Sequence, residues 1–191
     1  MLVDTIKLTD NKVLKIYQDC DTENPRTAWD NLGKMVCFHR RYDLGDEHNI
    51  SPDNYESFDD MIQDVVGDGV YLPLYLYDHG GITMTTGSFG CRWDSGQVGF
   101  IYITKQDIVK EYGNNSKETR EIVLKVLKGE VKTYDQYLTG DVYGFNLVEL
   151  QKCNLGCEHE EIIDSCWGFY GSDHEASGLL EHAGISKQDV A

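Results

Sequence analysis

Several features that would quickly assign a chain to a class are missing from this sequence. No segment approaches the roughly 18 apolar residues of a membrane-spanning helix, and the first residues are not a basic stretch followed by an apolar run. We therefore expect a cytoplasmic protein that does not contact a membrane. Common catalytic signatures are absent as well: the chain has no Walker loop, G-x-G-x-x-G, G-x-S-x-G or H-E-x-x-H motif. This lowers the expectation of an enzyme.

Basic residues are missing from two long segments. Residues 42–91 contain ten Asp or Glu and no Lys or Arg, and residues 153–186 contain seven Asp or Glu and again no base. The rest of the chain is nearly neutral, since residues 1–41 hold seven bases and six acids and residues 92–152 hold nine of each. The acids are therefore grouped. A merely solvated surface would explain them, but so would a surface that binds Lys and Arg of a partner.

Net charge, length and cysteine content further limit the possible ligands and the number of domains. A net charge of -16 argues against nucleic acid as a direct ligand, because neutralising phosphates requires a basic face. A length of 191 residues with 40% hydrophobic content is enough for a buried core, and we predict one domain over 1–191 with a loose tail from about residue 184. The six cysteines are expected to stay reduced in the cytoplasm.

The hydrophobic pattern predicts an α+β fold with a mixed or mainly antiparallel sheet. Apolar runs between turn residues indicate seven strands: 4–8, 13–18, 34–40, 70–77, 98–103, 142–149 and 162–169. A long helix is expected over about 116–138, with Ser116 as its cap and Gly140 after its end. Short helices are expected after Ser57 and near 175–182. The helix after Ser57 would bury Met61 and Ile62 and leave its Asp residues in water.

The stretch KCNLGCEHEE, residues 152–161, contains a C-x3-C-x-H pattern at the expected tip of a late β-hairpin. Cys153, Cys157 and His159 have a spacing that a tight turn can fold around a tetrahedral zinc ion, with a structural rather than catalytic role. The fourth ligand is open: Glu160, His174 or a distant cysteine are the choices, whereas Cys166 lies too far along the strand. Two surface thiols beside an incidental histidine, or a redox pair, are the alternatives.

A second group with chemical potential is His79, Cys91 and Asp94. A cysteine, a histidine and an aspartate can together form a nucleophilic set. The alternative is that His79-Gly80-Gly81 simply forms a turn between two strands, which is what glycines at such a place usually indicate.

Four segments, YLPLYLYDHGGITMTT, WDSGQVGFIYITK, TYDQYLTGDVYGF and DSCWGFYG, resemble a family of small, uncharacterised phage and prophage proteins of Gram-positive bacteria. The resemblance spans about residues 28–171 and implies no catalytic residue. It implies a mobile-element setting, in which small acidic proteins often inhibit host defence, as anti-CRISPR proteins and antirestriction DNA mimics do.

The leading functional hypothesis is therefore a non-enzymatic, anti-CRISPR-like inhibitor in the host bacterial cytoplasm. Its partner would be a defence nuclease or CRISPR effector whose basic surface meets the acids of this chain. The predicted binding residues are Asp46, Glu47, Asp53, Glu56, Asp59, Asp60, Asp64, Glu158, Glu160 and Glu161. The alternatives are a small phage enzyme acting on a nucleotide or defence signal through His79 and Cys91 or an open metal site, and a protein with an assembly role.

Overall fold

The computed structural model describes residues 1–91, 93–152, 157–186 and 189. It is α+β with antiparallel sheets and one long helix, as the hydrophobic pattern predicted. The chain divides into two compact units: Met1–Thr22 together with Gly140–Ala191, and Glu23–Thr139. We call these unit 1 and unit 2. The prediction of one domain over 1–191 stays a prediction.

Unit 1 is built on a four-stranded sheet. Its strands are β1 (Leu2–Lys7), β2 (Lys12–Gln18), β7 (Val142–Lys152) and β8 (Glu158–Tyr170), in the order β1-β2-β7-β8. A short helix, α5 (Leu179–His182), buries Leu179 against Leu14, Ile16 and Phe145 of the sheet. The tail that was predicted to be loose is attached at two described points. Ile185 packs against this core, and the Asp189 carbonyl accepts a hydrogen bond from Thr9 N at 3.1 Å.

Unit 2 contains the second sheet, formed by β3 (Lys34–Cys37), β6 (Ser95–Ile103), β4 (Val70–Asp78) and β5 (Ile82–Thr85) in the order β3-β6-β4-β5. The long helix α4 (Lys117–Thr139) packs on one face, where Val123, Leu127 and Val131 contact residues such as Leu74 and Ile101. Helix α2 (Phe58–Val65) packs on the other face, where Met61 and Ile62 lie against Val36 and Phe100. A short 3-10 turn (Pro52–Asn54) precedes α2.

Both predicted caps of unit 2 are confirmed. Ser57 accepts a hydrogen bond from Asp60 N at 3.1 Å, and Ser116 accepts one from Thr119 N at 3.2 Å. Gly140 follows α4 with a φ of 70°, which favours glycine. These side chains satisfy amides that the first turn of a helix leaves without partners, which is why the sequence signal was reliable.

Besides the 3-10 turn, three elements of unit 2 were not predicted. They are α1 (Pro25–Ala28), β5 and α3 (Lys105–Tyr112). The segment TKQDIVKEYG did carry a signal for α3, because Thr104 caps its amino end, accepting from Asp107 N at 3.2 Å, and Gly113 ends it in the left-handed region. The turn predicted at His79-Gly80-Gly81 is confirmed and joins β4 to β5.

Among the described residues, no helix is both long enough and apolar enough to cross a membrane.

Candidate functional site

Five exposed acids of unit 2 lie on α2 and in the segment just before it. They are Asp53 on the 3-10 turn, Glu56 just before the helix, and Asp59, Asp60 and Asp64 on the helix; all five are exposed. We call this set the α2 acidic surface. It exists because the apolar residues of α2 recur on the face that packs against the sheet, which turns the intervening carboxylates toward water.

No base neutralises the α2 acidic surface within the part of the chain that the structure describes. No Lys or Arg nitrogen there lies within 4.0 Å of any of its five carboxylates. The contacts that do exist are local. Asp64 accepts a hydrogen bond from the Tyr55 hydroxyl at 2.9 Å, and that bond raises the pKa of Tyr55. The negative potential of this surface is therefore available to a partner.

Asp46 has a different role from the one predicted. Its carboxylate forms two hydrogen bonds with the buried guanidinium of Arg26, at 2.9 and 2.7 Å, and accepts Met35 N at 2.7 Å. Only 19% of the Asp46 side chain is exposed. Because these bonds use its oxygens inside the unit, Asp46 supports the fold rather than a binding surface. Glu47, its neighbour, is exposed and lines a cleft of about 570 Å³ with His39, Asp43 and His48.

The three hairpin glutamates lie in unit 1 and already have partners. Glu158 forms an ion pair with Lys152 at 3.2 Å, Glu160 forms one with Lys15, and Glu161 accepts a hydrogen bond from Gln151. The Glu160 contact raises the pKa of Lys15. Such exposed pairs stabilise a fold weakly, but they reduce the net charge that the hairpin offers. The α2 acidic surface is therefore the stronger candidate for binding a basic partner.

The β7–β8 hairpin is present, and its strands run further than predicted. Lys152 pairs with Glu158, so the paired strands reach both ends of the segment where the zinc pattern was placed. Cys153 lies outside the described residues. Cys157 is exposed and lies just before β8, and His159 is the second residue of that strand. Among the described residues, no group of three His, Cys, Asp or Glu side chains is placed to hold a metal ion.

Zinc at the hairpin therefore stays a prediction. The two described donors, a thiol and an imidazole two residues apart, are ligand types that zinc prefers. We expect about one zinc ion per chain in protein purified without added metal, measured by inductively coupled plasma mass spectrometry. Cys157→Ser should lose the ion, whereas Cys166→Ser, a matched change within β8, should keep it. Metal-free wild-type protein would contradict the prediction.

The structure brings together the second predicted group. Asp94 Oδ2 lies 3.4 Å from His79 Nδ1 and 3.7 Å from Cys91 Sγ. The carboxylate thus lies between the thiol and the imidazole. A nucleophilic thiol instead needs the imidazole as its immediate neighbour, because a carboxylate is too weak a base for it. The arrangement more closely matches a histidine held by an aspartate, on a side chain that is 71% exposed.

The two candidates of unit 2 thus differ in what they can do chemically. The α2 acidic surface can attract and bind cations, and the His79–Asp94 pair can exchange a proton. Comparison with known proteins adds no assignment, since no family model matches the chain and neither a curated protein nor a solved structure shows significant similarity to it.

Proposed function

We propose that this protein is a phage-encoded inhibitor of a bacterial nucleic-acid-targeting defence system, of anti-CRISPR type. It binds a basic surface of a nuclease effector through the α2 acidic surface. The observation that supports this proposal is the absence of any base beside these five carboxylates among the described residues, in a chain with a net charge of -16. The resemblance of the four segments to phage proteins supports the setting.

The physical basis is electrostatic. A nuclease binds DNA or RNA with Lys and Arg side chains, and a rigid row of carboxylates can occupy the same side chains. The rigidity comes from α2, which is anchored by buried Met61 and Ile62 and capped by Ser57. Opposite charges speed the encounter and suppress wrong partners, and added salt weakens both effects.

Reversing charge on the α2 acidic surface is expected to remove inhibition. The double variant Asp59→Lys, Asp64→Lys should weaken binding to the effector by roughly 100-fold, because two attractive contacts become repulsive. Effector would be captured from lysate of a host bacterium on immobilised protein, at low and at raised salt. Its nuclease activity would then be titrated with wild type and variants.

The matched control is Glu111→Lys, Glu121→Lys, which changes the net charge by the same amount at two other exposed acids of unit 2. This control should inhibit as wild type does. If both double variants lose inhibition equally, net charge matters and the α2 acidic surface does not. If neither loses it, the proposed binding surface is wrong.

A small phage enzyme acting on a nucleotide or defence signal is the second candidate, favoured by the contact between His79 and Asp94. The same titration separates the two. An inhibitor saturates at about one copy per effector, whereas an enzyme acts in substoichiometric amounts and loses activity in His79→Ala. If inhibition saturates at equal amounts of protein and effector, and His79→Ala inhibits as wild type does, the enzyme hypothesis is wrong.

A further inference from the structure

Strand β4 places a row of tyrosines on the sheet face that α4 does not cover. Side chains alternate along a strand, and Leu74 and Leu76 point to the α4 side, where they are buried. Tyr71, Tyr75 and Tyr77 therefore point to the opposite face. Tyr71 is 39% exposed, and the other two are half-buried. We call these three residues the β4 tyrosine face.

The β4 tyrosine face lies on the same side of the sheet as α2. Helix α2 packs against Val36 of β3 and Phe100 of β6 on this side, and its core includes no residue of β4. Tyr102 of β6 lies directly opposite Tyr71, and its ring is 5.6 Å from that of Phe100. Phe100, Tyr102 and Tyr71 thus form a series of aromatic residues on this side of the sheet, from the part that α2 covers to the β4 tyrosine face. The α2 acidic surface and the β4 tyrosine face therefore belong to the same side of this sheet.

The same unit already binds one arginine with this combination of groups. The Arg41 guanidinium lies 5.3 Å from the centre of the Tyr42 ring and forms an ion pair with Asp78. The Tyr42 hydroxyl is 3.4 Å from the same carboxylate. A tyrosine ring and a carboxylate together match a guanidinium, which is planar, stacks on aromatic rings and donates to oxygens in its plane.

We propose that the β4 tyrosine face and the α2 acidic surface together bind arginine side chains of a protein partner, in preference to lysine. The inference rests on the proposed function and specifies its partner: a basic protein surface rich in arginine. Residues 42–91 contain no Lys or Arg, so the segment that supplies the acids and the tyrosines carries no cation of its own; on this side of the sheet Lys34 of β3 lies opposite Tyr102. Lysine fits less well, because its ammonium is more strongly hydrated and cannot stack.

Two fluorescently labelled peptides of equal length and charge test the preference, one alternating Arg with Ser and the other Lys with Ser. Binding to the full chain would be measured by fluorescence anisotropy at low salt. We expect the Arg peptide to bind about five- to tenfold more tightly than the Lys peptide. Tyr71→Leu with Tyr75→Leu should remove that difference, and Tyr71→Phe with Tyr75→Phe should keep it, because phenylalanine retains the ring. Far-UV circular dichroism melts would establish that both double variants fold.

The outcomes separate this inference from the proposed function. Equal affinity for the two peptides, binding of neither, or an Arg preference that survives in the leucine variant would overturn the inference. A wild-type dimer in sedimentation that the leucine variant abolishes would also overturn it, since a second copy would then occupy the face. If the Arg preference is found but the effector is not inhibited, the inference stands and the proposed function is wrong.

Discussion

Replacing Arg26 by methionine is expected to lower the free energy of unfolding by about 3–5 kcal/mol. Only 1% of the Arg26 side chain is exposed. Its guanidinium donates to both oxygens of Asp46, to Glu130 at 2.9 Å and to the Gly33 carbonyl at 2.7 Å. Burial alone would lower the pKa of Arg26, but the bonds to the two carboxylates outweigh it and raise that pKa. The cation is therefore fully paired.

The size of the effect follows from what the variant leaves behind. Without the guanidinium, the carboxylates of Asp46 and Glu130 stay in a largely buried site with no opposite charge. The two carboxylates also accept backbone amides of Leu32, Gly33 and Met35, so they cannot simply turn to solvent without breaking those bonds. Since a typical domain is stable by only 5–15 kcal/mol, the loss is a large share of the total.

Urea unfolding followed by circular dichroism measures the change. Adding Asp46→Asn and Glu130→Gln to Arg26→Met should recover part of the stability, because the triple variant no longer buries an unpaired charge. Arg26→Lys should lie between wild type and Arg26→Met, since lysine keeps the charge but loses the paired geometry. A loss below about 1 kcal/mol in Arg26→Met would show that the triad contributes little.

Alkaline pH is expected to destabilise unit 2 through Cys37. Burial raises the pKa of this thiol to about 12, from an ordinary value of 9.0, and the nearby Asp46 carboxylate adds to the effect. A folded-state pKa above the unfolded value means that the stabilisation is complete below pH 9 and is lost as the pH rises toward 12. The difference between a pKa of 9.0 and one of about 12 corresponds to a loss of about 4 kcal/mol in the free energy of unfolding, once the thiol is fully ionised.

Tyr134 has a raised pKa as well, so its ionisation at alkaline pH also destabilises unit 2. Burial raises its pKa to about 12 from 10.0, and its hydroxyl accepts a hydrogen bond from Gly45 N at 3.0 Å. The urea midpoint should therefore fall steeply between pH 9 and pH 11. Cys37→Ala separates the two groups: it should be less stable at pH 8 because of the cavity, yet show a shallower fall above pH 9. Parallel falls in wild type and Cys37→Ala would contradict the assignment to the thiol.

Local signals predicted most of the fold. Helices α2 and α4 were found because their apolar residues repeat at helical spacing and because Ser57 and Ser116 satisfy amides of the first turn. The four-residue elements α1 and β5 were missed because neither segment shows a run of apolar residues long enough to define a period, whereas β3 and α5, equally short, were found within longer apolar segments. Strand β3 ends at Cys37 rather than Arg40, although β6 continues past Gly99 to Ser95, because propensity does not record where two paired strands separate.

The candidate site was predicted less completely. The positions of the α2 acids and their exposure could be predicted, because both follow once the apolar face of the helix is known. The role of Asp46 could not be predicted, because its partners Arg26 and Met35 lie in other segments of the chain. Glu130, which binds the same guanidinium, is 104 residues from Arg26. The sequence named Asp94, His79 and Cys91 only as residue types that can act together. The structure showed that Asp94 is the residue that contacts the other two.

The sequence by itself determined the grouping of the acids, the helix that carries three of them and the strands beneath it, because these depend on composition, periodicity and caps within short segments. Only the tertiary structure decided which carboxylates keep their charge available. Asp46 is neutralised by a buried arginine, Glu158 and Glu160 by nearby lysines, and the α2 acidic surface by no base among the described residues. Pairing of charges depends on distances of a few ångströms between segments far apart in the chain, and the sequence does not contain those distances.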